Sequence, residues 1–171
     1  MLNKLPQCAI LALTSLIAIA SILSIGCDPA KQSADKNGVA SGSHPLQIIA
    51  TTGQINDALK QITSGTDAKI KLFCGPGVDP HSFSASSADV QAMLDADLIF
   101  YNGFHLEAKL SEHLHGTFET KSWAMASAFP DDARLDWVED GQIDDEAPFD
   151  PHIWNHLPAW AQCVTALGEK L

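Results

Sequence analysis

Leu46-Gln47-Ile48-Ile49-Ala50, then Thr51-Thr52-Gly53, then Ile55, Leu59 and Ile62, is the stretch that decides the fold. A short apolar run rich in β-branched residues reads as a strand. A break at Thr51-Thr52-Gly53 follows, and apolar residues then recur at helical spacing. The same alternation continues downstream. Residues 68–73 alternate as a second strand, and residues 74–83 form a loop with two Gly and two Pro. Ser86 or Ser87 caps a helix whose inner face carries Val90, Met93 and Leu94. Leu98-Ile99-Phe100-Tyr101 is a third strand, closed by Asn102-Gly103. Leu106, Leu110 and Leu114 align on one helical face, and Trp123-Ala124-Met125-Ala126 reads as a fourth strand. Residues 130–148 are acidic and loop-like. Residues 157–171 read as a helix running to the last residue without a stop signal, with Pro158 in its first turn. The implied fold class is α/β, a parallel sheet flanked by helices. Ligands of such sheets sit at the carboxyl ends of the strands.

Upstream of this region the sequence changes character. One cation, Lys4, precedes an apolar run from Cys8 to Ile25, and Gly26-Cys27 ends it. A charged start, an apolar core and a small residue before a break make an export signal. The run is also close to the shortest membrane span, so an uncleaved anchor competes. Leu23-Ser24-Ile25-Gly26-Cys27 resembles a bacterial lipobox, with Leu one place early. That favours cleavage before Cys27 and lipidation of its thiol. Each of these readings, and an ordinary cleaved signal as well, places the rest outside the cytoplasm; the favoured one makes it membrane-anchored, in the periplasm or on the outer face of the cytoplasmic membrane. Several acyl chains make such an anchor stable. The segments are then a signal peptide over 1–26, a flexible tether over 27–44 that is too polar to bury a core, and a folded region from residue 45. That region suits one domain.

Composition narrows the function. Ten Lys and Arg stand against 21 Asp and Glu, a net charge of −11. Such a chain repels nucleic acid, and none is expected as a partner. Of the four Cys, Cys8 leaves with the signal and Cys27 carries lipid. Cys74 and Cys163 either pair in an oxidising compartment or stay as buried thiols. Gly75-Pro76-Gly77 lacks the further Gly, Lys and Ser/Thr of a phosphate loop.

Two segments rhyme: Asp79-Pro80-His81-Ser82-Phe83 and Asp150-Pro151-His152-Ile153-Trp154. Each is Asp-Pro-His, one variable residue, then an aromatic. A neutral imidazole is the commonest protein ligand for a transition metal. It needs a stiff approach, which proline gives, and a partner on its second nitrogen. The Asp either supplies that partner or closes an Asx turn, with the turn somewhat favoured. The aromatic can wall the site against water. Taken singly, each pentad is equally an Asx–Pro turn in a loop. His156 follows His152 by four residues, but Pro158 puts His152 outside the helix. His113 and His115 read as solvated at a helix end, and residues 140–146 as a solvated acidic loop.

These motifs, together with Ile48-Ile49-Ala50-Thr51-Thr52-Gly53, Gly75-Pro76-Gly77-Val78 and the run Ala96-Asp97-Leu98-Ile99-Phe100-Tyr101-Asn102-Gly103-Phe104-His105-Leu106-Glu107, resemble the zinc/manganese-type (TroA-like) metal-binding lipoproteins of bacterial ABC importers. The resemblance implies two α/β lobes joined by a long helix, with the metal between them. It implies that His81 and His152 are metal ligands and that a second lobe adds a His or Glu and an Asp. The present sequence matches the N-terminal lobe, 45–156, and the start of the connecting helix, 157–171, where it is read as truncated. The implied function is capture of a divalent transition metal, Zn2+ or Mn2+ as transported ligand, for an ABC permease, by a monomer and without catalysis. An acidic residue is common in the family at the place of His156, so its departure puts capping there in doubt. His105 lies in a family motif, with a packing or hydrogen-bonding role expected. The alternatives are an extracytoplasmic zinc-dependent hydrolase and a lipid-anchored adhesin with incidental metal binding. The sequence carries no His-Glu-x-x-His and no Gly-x-Ser-x-Gly.

Overall fold

The computed structural model describes residues 44–171 apart from 140, 144 and 146. The leader, nearly all of the tether, and Cys27 lie outside the described residues. No helix among the described residues is long and apolar enough to cross a membrane.

Four parallel strands form the sheet: β1 (Gln47–Thr52), β2 (Lys69–Cys74), β3 (Leu98–Tyr101) and β4 (Ser122–Ala124), in the order β2-β1-β3-β4. Ile49 pairs in register with Lys71 on one side and Ile99 on the other, and Phe100 pairs with Trp123. β1 runs through Thr51 and Thr52, where the sequence had suggested a break, and helix α1 (Gly53–Ile62) starts on the next residue. Both threonines are buried against neighbouring strands, and their β-branched side chains suit an extended backbone.

Alternation along the strands sorts the core into two layers. Ile48, Ala50 and Phe100 face α1 and the last helix, α3 (Leu157–Gly168), meeting Ile55, Leu59, Cys163 and Leu167. Ile49, Ile99 and Tyr101 face the other way, onto Met93 of α2 (Ser87–Asp95) and onto Leu110 and Leu114. Full burial of a side chain such as Ile99 or Phe100 contributes roughly 1.5–3 kcal/mol. Cys74 and Cys163 fall in opposite layers as free buried thiols. No disulfide joins them, and burial pushes each thiol up to about 11, which leaves both unreactive at neutral pH.

Several local expectations change. Ser86 is the cap of α2, in a reciprocal capping box with Asp89. On that helix Met93 is buried but Leu94 is exposed. Leu106, Leu110 and Leu114 are all buried, yet Leu106 lies in a turn, Leu110 ends a 3₁₀ turn (Ala108–Leu110) and Leu114 lies in a π turn (His113–Thr117), instead of one α-helix. The acidic loop holds a small hairpin, β5 (Val138–Glu139) with β6 (Gln142–Ile143). α3 ends at Gly168, short of the last residue.

Candidate metal centre

Both Asp-Pro-His segments lie beyond strand carboxyl ends, His81 in the connection from β2 to α2 and His152 in the approach to α3. The Asp of each closes a local turn: Asp79 Oδ1 accepts the His81 amide at 3.0 Å, and Asp150 Oδ1 accepts the His152 amide at 2.9 Å. The proline between stiffens each turn. In the second segment the carboxylate has another role, since Asp150 Oδ1 lies 2.6 Å from His152 Nδ1. A carboxylate accepts but does not donate, so Nδ1 carries the hydrogen, and in the neutral ring Nε2 keeps its lone pair. The two roles weighed for the Asp are thus both filled at Asp150.

The two imidazoles meet. Their ring centroids are 5.9 Å apart, with planes inclined at 59°. With metal–nitrogen distances of about 2.1 Å, two imidazoles on one tetrahedral cation have centroids roughly 5.2 Å apart, so the rings stand slightly wider than a bound metal would hold them. His81 is exposed, while the His152 side chain is 31% exposed. Trp154, two residues on, meets the His152 ring edge-on at 5.3 Å, and Trp137 lies 5.8 Å away. The aromatic of the first motif behaves otherwise: Phe83 stacks on Phe73, 5.6 Å away.

A cavity of about 280 Å³ opens beside the His81 ring, lined also by His105, Phe104, Trp137, Phe149 and Pro151 but not by His152. His105 is exposed on this wall instead of packed. It and Phe104 have φ of 60° and 49°, a left-handed backbone that is uncommon outside Gly. A roomier apolar cavity of about 510 Å³ adjoins it behind Phe104 and Phe149, but neither His81 nor His152 is among its walls. Among the described residues, no group of three or more His, Cys, Asp and Glu is placed to hold a metal. What the fold brings together here is a pair of rings.

The other histidines go elsewhere. His156 is the N-cap of α3, its Nδ1 accepting the Ala159 amide at 3.2 Å, so the doubt about capping there is removed. His115 is exposed and meets Tyr101 edge-on at 5.7 Å, and half-buried His113 lies 6.2 Å from Phe118.

Three residues near the rings carried no role in the sequence. Trp137 is a lone aromatic in an acidic loop, and its composition was the available signal. Asn102 donates from Nδ2 to the Pro151 carbonyl at 2.7 Å. Glu107, 4% exposed, accepts from the Thr51 hydroxyl at 2.6 Å, from the Asn102 amide at 2.8 Å and from the Gly103 amide at 3.2 Å. Burial pushes its carboxyl above the ordinary value, and the hydrogen bonds from Thr51, Asn102 and Gly103 pull the other way. Asn102 and Glu107 bracket the motif that contains the left-handed turn.

The family model of ZnuA, described as zinc-uptake complex component A periplasmic, matches residues 48–171. The chain belongs to this family. This ZnuA-family chain is 37% identical over 156 residues to the manganese-binding lipoprotein MntA of Bacillus subtilis, covering 91% of itself and 46% of that relative. It is 40% identical over 139 residues to the zinc-binding protein TroA of Treponema pallidum, covering 80% of itself and 41% of TroA. Among solved structures, the periplasmic zinc-binding protein TroA of Treponema pallidum superposes with a TM-score of 0.65 at 37% identity, over 74% of this chain and 43% of that one. The Fe(III)-bound YtgA of Chlamydia trachomatis gives 0.58 at 27% identity, over 70% and 40%. The ZnuA-family chain thus spans less than half the length of the curated relatives it matches.

Proposed function

We propose that this protein is the extracytoplasmic solute-binding component of an ABC importer, capturing zinc or manganese for delivery to the permease, with His81 and His152 as two of the metal's ligands. The observation that carries the reading is the meeting of two imidazoles from separate, rhyming loops, 5.9 Å apart and so within a small closing movement of one shared cation. Asp150 fixes one ring through Nδ1, as carboxylates fix metal-binding histidines elsewhere. The names of the relatives, manganese-binding for MntA and zinc-binding for TroA, support a binding role over hydrolysis or adhesion.

Two protein ligands make a weak site on their own. Structural zinc takes four and catalytic zinc three, so water fills the remaining positions on these residues alone. Imidazoles favour zinc and added carboxylates favour manganese, so the choice of metal rests with the other ligands. The direct test is a zinc titration followed by NMR of the histidine side chains. His81 and His152 shift together, at one equivalent, ahead of the other imidazoles. Independent responses from the two rings, or a first response at His113 and His115, would reject the centre.

The same reading anchors the protein through lipid on Cys27. Replacing Cys27 by Ser is expected to move the protein from the membrane fraction to the soluble one. A Cys27→Ser protein that stays with the membrane points to an uncleaved apolar anchor instead.

A further inference from the structure

The two metal-site loops are held differently. His81 rides on an exposed turn, whereas the backbone next to His152 is tied into the core. The Pro151 carbonyl, the acceptor just before His152, takes the Ile153 amide at 2.8 Å and Asn102 Nδ2 at 2.7 Å. Asn102 is fully buried at the end of β3, and its Nδ2 also reaches the Gly103 carbonyl at 3.0 Å. Its own backbone is gripped on both sides. The amide donates to Glu107 Oε1, and the carbonyl accepts the Ala126 amide at 2.9 Å. Glu107 Oε1 in turn accepts the hydroxyl of Thr51 in β1.

We propose that Asn102 is a positioning residue for His152, gripping the Pro151 carbonyl through a buried strut that runs from Thr51 through Glu107. The strut crosses the carboxyl ends of β1 and β3, the point where the strand order reverses and where ligands of such sheets bind. It fixes the backbone on one side of His152, and the Asp150 carboxylate fixes the ring from the other. Together they leave the imidazole little freedom except to face His81.

One feature of Asn102 argues against a role in stability alone. Its Oδ1 is buried with no partner among the described residues. Turning the amide over would set that oxygen against two carbonyl oxygens, so the orientation is fixed. Leaving a buried acceptor unpaired costs stability, and an apolar residue would avoid that cost. What an apolar residue lacks is the donor that holds Pro151. Rule-breaking groups of this kind mark sites kept for function.

This inference rests on His152 being a metal ligand, so the test begins with the unaltered chain and zinc. If its His152 ring does not respond to the metal, the site assignment falls and this inference with it. If it responds, Asn102→Ala is compared with Met93→Ala, a core truncation in the opposite layer, each at a temperature that gives equal folded fractions. Loss of an outer support of a metal ligand weakens binding by about 10-fold to 100-fold. Asn102→Ala is expected to weaken zinc binding by about 10-fold, to shift or broaden the His152 ring signals before metal is added, and to leave those of His81 in place. Met93→Ala leaves affinity and ring signals unchanged. Should Asn102→Ala fail to fold, Asn102→Ser, too short to reach Pro151, is read for the same changes. A folded Asn102 variant with the affinity of the unaltered chain, or an equal loss in Met93→Ala, overturns the proposal.

Discussion

Replacing either His81 or His152 by Ala is expected to remove nearly all specific zinc binding, and replacing both to remove little more. The reason is the chelate effect. Once one imidazole holds the cation, the other is already within reach, 5.9 Å from ring to ring, so its coordination is intramolecular. Linked binding of this kind exceeds single-site affinity by about 10²-fold to 10⁴-fold. Losing one ring forfeits that whole factor, and the ring left behind binds no better than an exposed histidine. The single and double variants should therefore converge, in contrast to independent sites, whose losses add. His113→Ala and His156→Ala serve as controls of equal composition. His156→Ala removes the cap of α3 and costs about 1 kcal/mol of stability without lowering affinity. Calorimetry or competition with a chromogenic chelator reads the result. Affinity within about three-fold of the unaltered chain in either single variant, against the expected 10²-fold or more, would dismantle the paired-ring centre.

Much of this arrangement was legible in the sequence. The strands could be read because parallel strands buried on both faces are near-continuous apolar runs, as at Ile48-Ile49-Ala50 and Ile99-Phe100-Tyr101. The rhyming pentads marked the two rings because their local chemistry is repeated. Periodicity was less informative where it reports burial alone. Leu106, Leu110 and Leu114 are indeed inside, but they follow a left-handed turn at Phe104 and His105, and Leu110 ends a 3₁₀ turn while Leu114 lies in a π turn. Identical spacing also hid a difference between the pentads. Asp150 reaches its histidine ring, whereas the contact recorded for Asp79 with His81 is to the backbone amide. That difference goes with tertiary surroundings, since His152 is half-buried between Trp137 and Trp154. Neither the packing of Trp137 on His152 nor the Asn102–Pro151 bond could be read locally, because each joins segments far apart along the chain. The opposite-facing thiols of Cys74 and Cys163 were hidden for the same reason.

The turn after β3 has so little room that Gly103→Ala is expected to be among the most damaging single-methyl additions to the fold. Gly103 has φ of +87°, where a Cβ costs about 1–2 kcal/mol. The added atom would also stand 2.9 Å from the Ala126 Cβ and 3.3 Å from the Ala124 Cβ. Neither neighbour is a flexible side-chain end. Ala124 belongs to β4, and Ala126 is locked by its amide to the Asn102 carbonyl. Overpacking against such groups costs about 1–3 kcal/mol, so the two terms give about 2–5 kcal/mol together, enough to lower Tm by about 8 °C or more. Gly53→Ala is the matched comparison: it has ordinary φ and nothing within 4 Å of the new Cβ, and as the first residue of α1 it should be neutral or slightly stabilising. The two effects of Gly103→Ala reach the site as well. Relief of the clash must move either β4 or the turn itself, and the turn carries the Gly103 amide bond to Glu107 and the wall residues Phe104 and His105. Thermal unfolding of the two variants side by side measures the difference. A Gly103→Ala protein melting within about 2 °C of the unaltered chain would mean that the turn has room to give, and that the close packing of β3 against β4 is looser than the distances to Ala124 and Ala126 require.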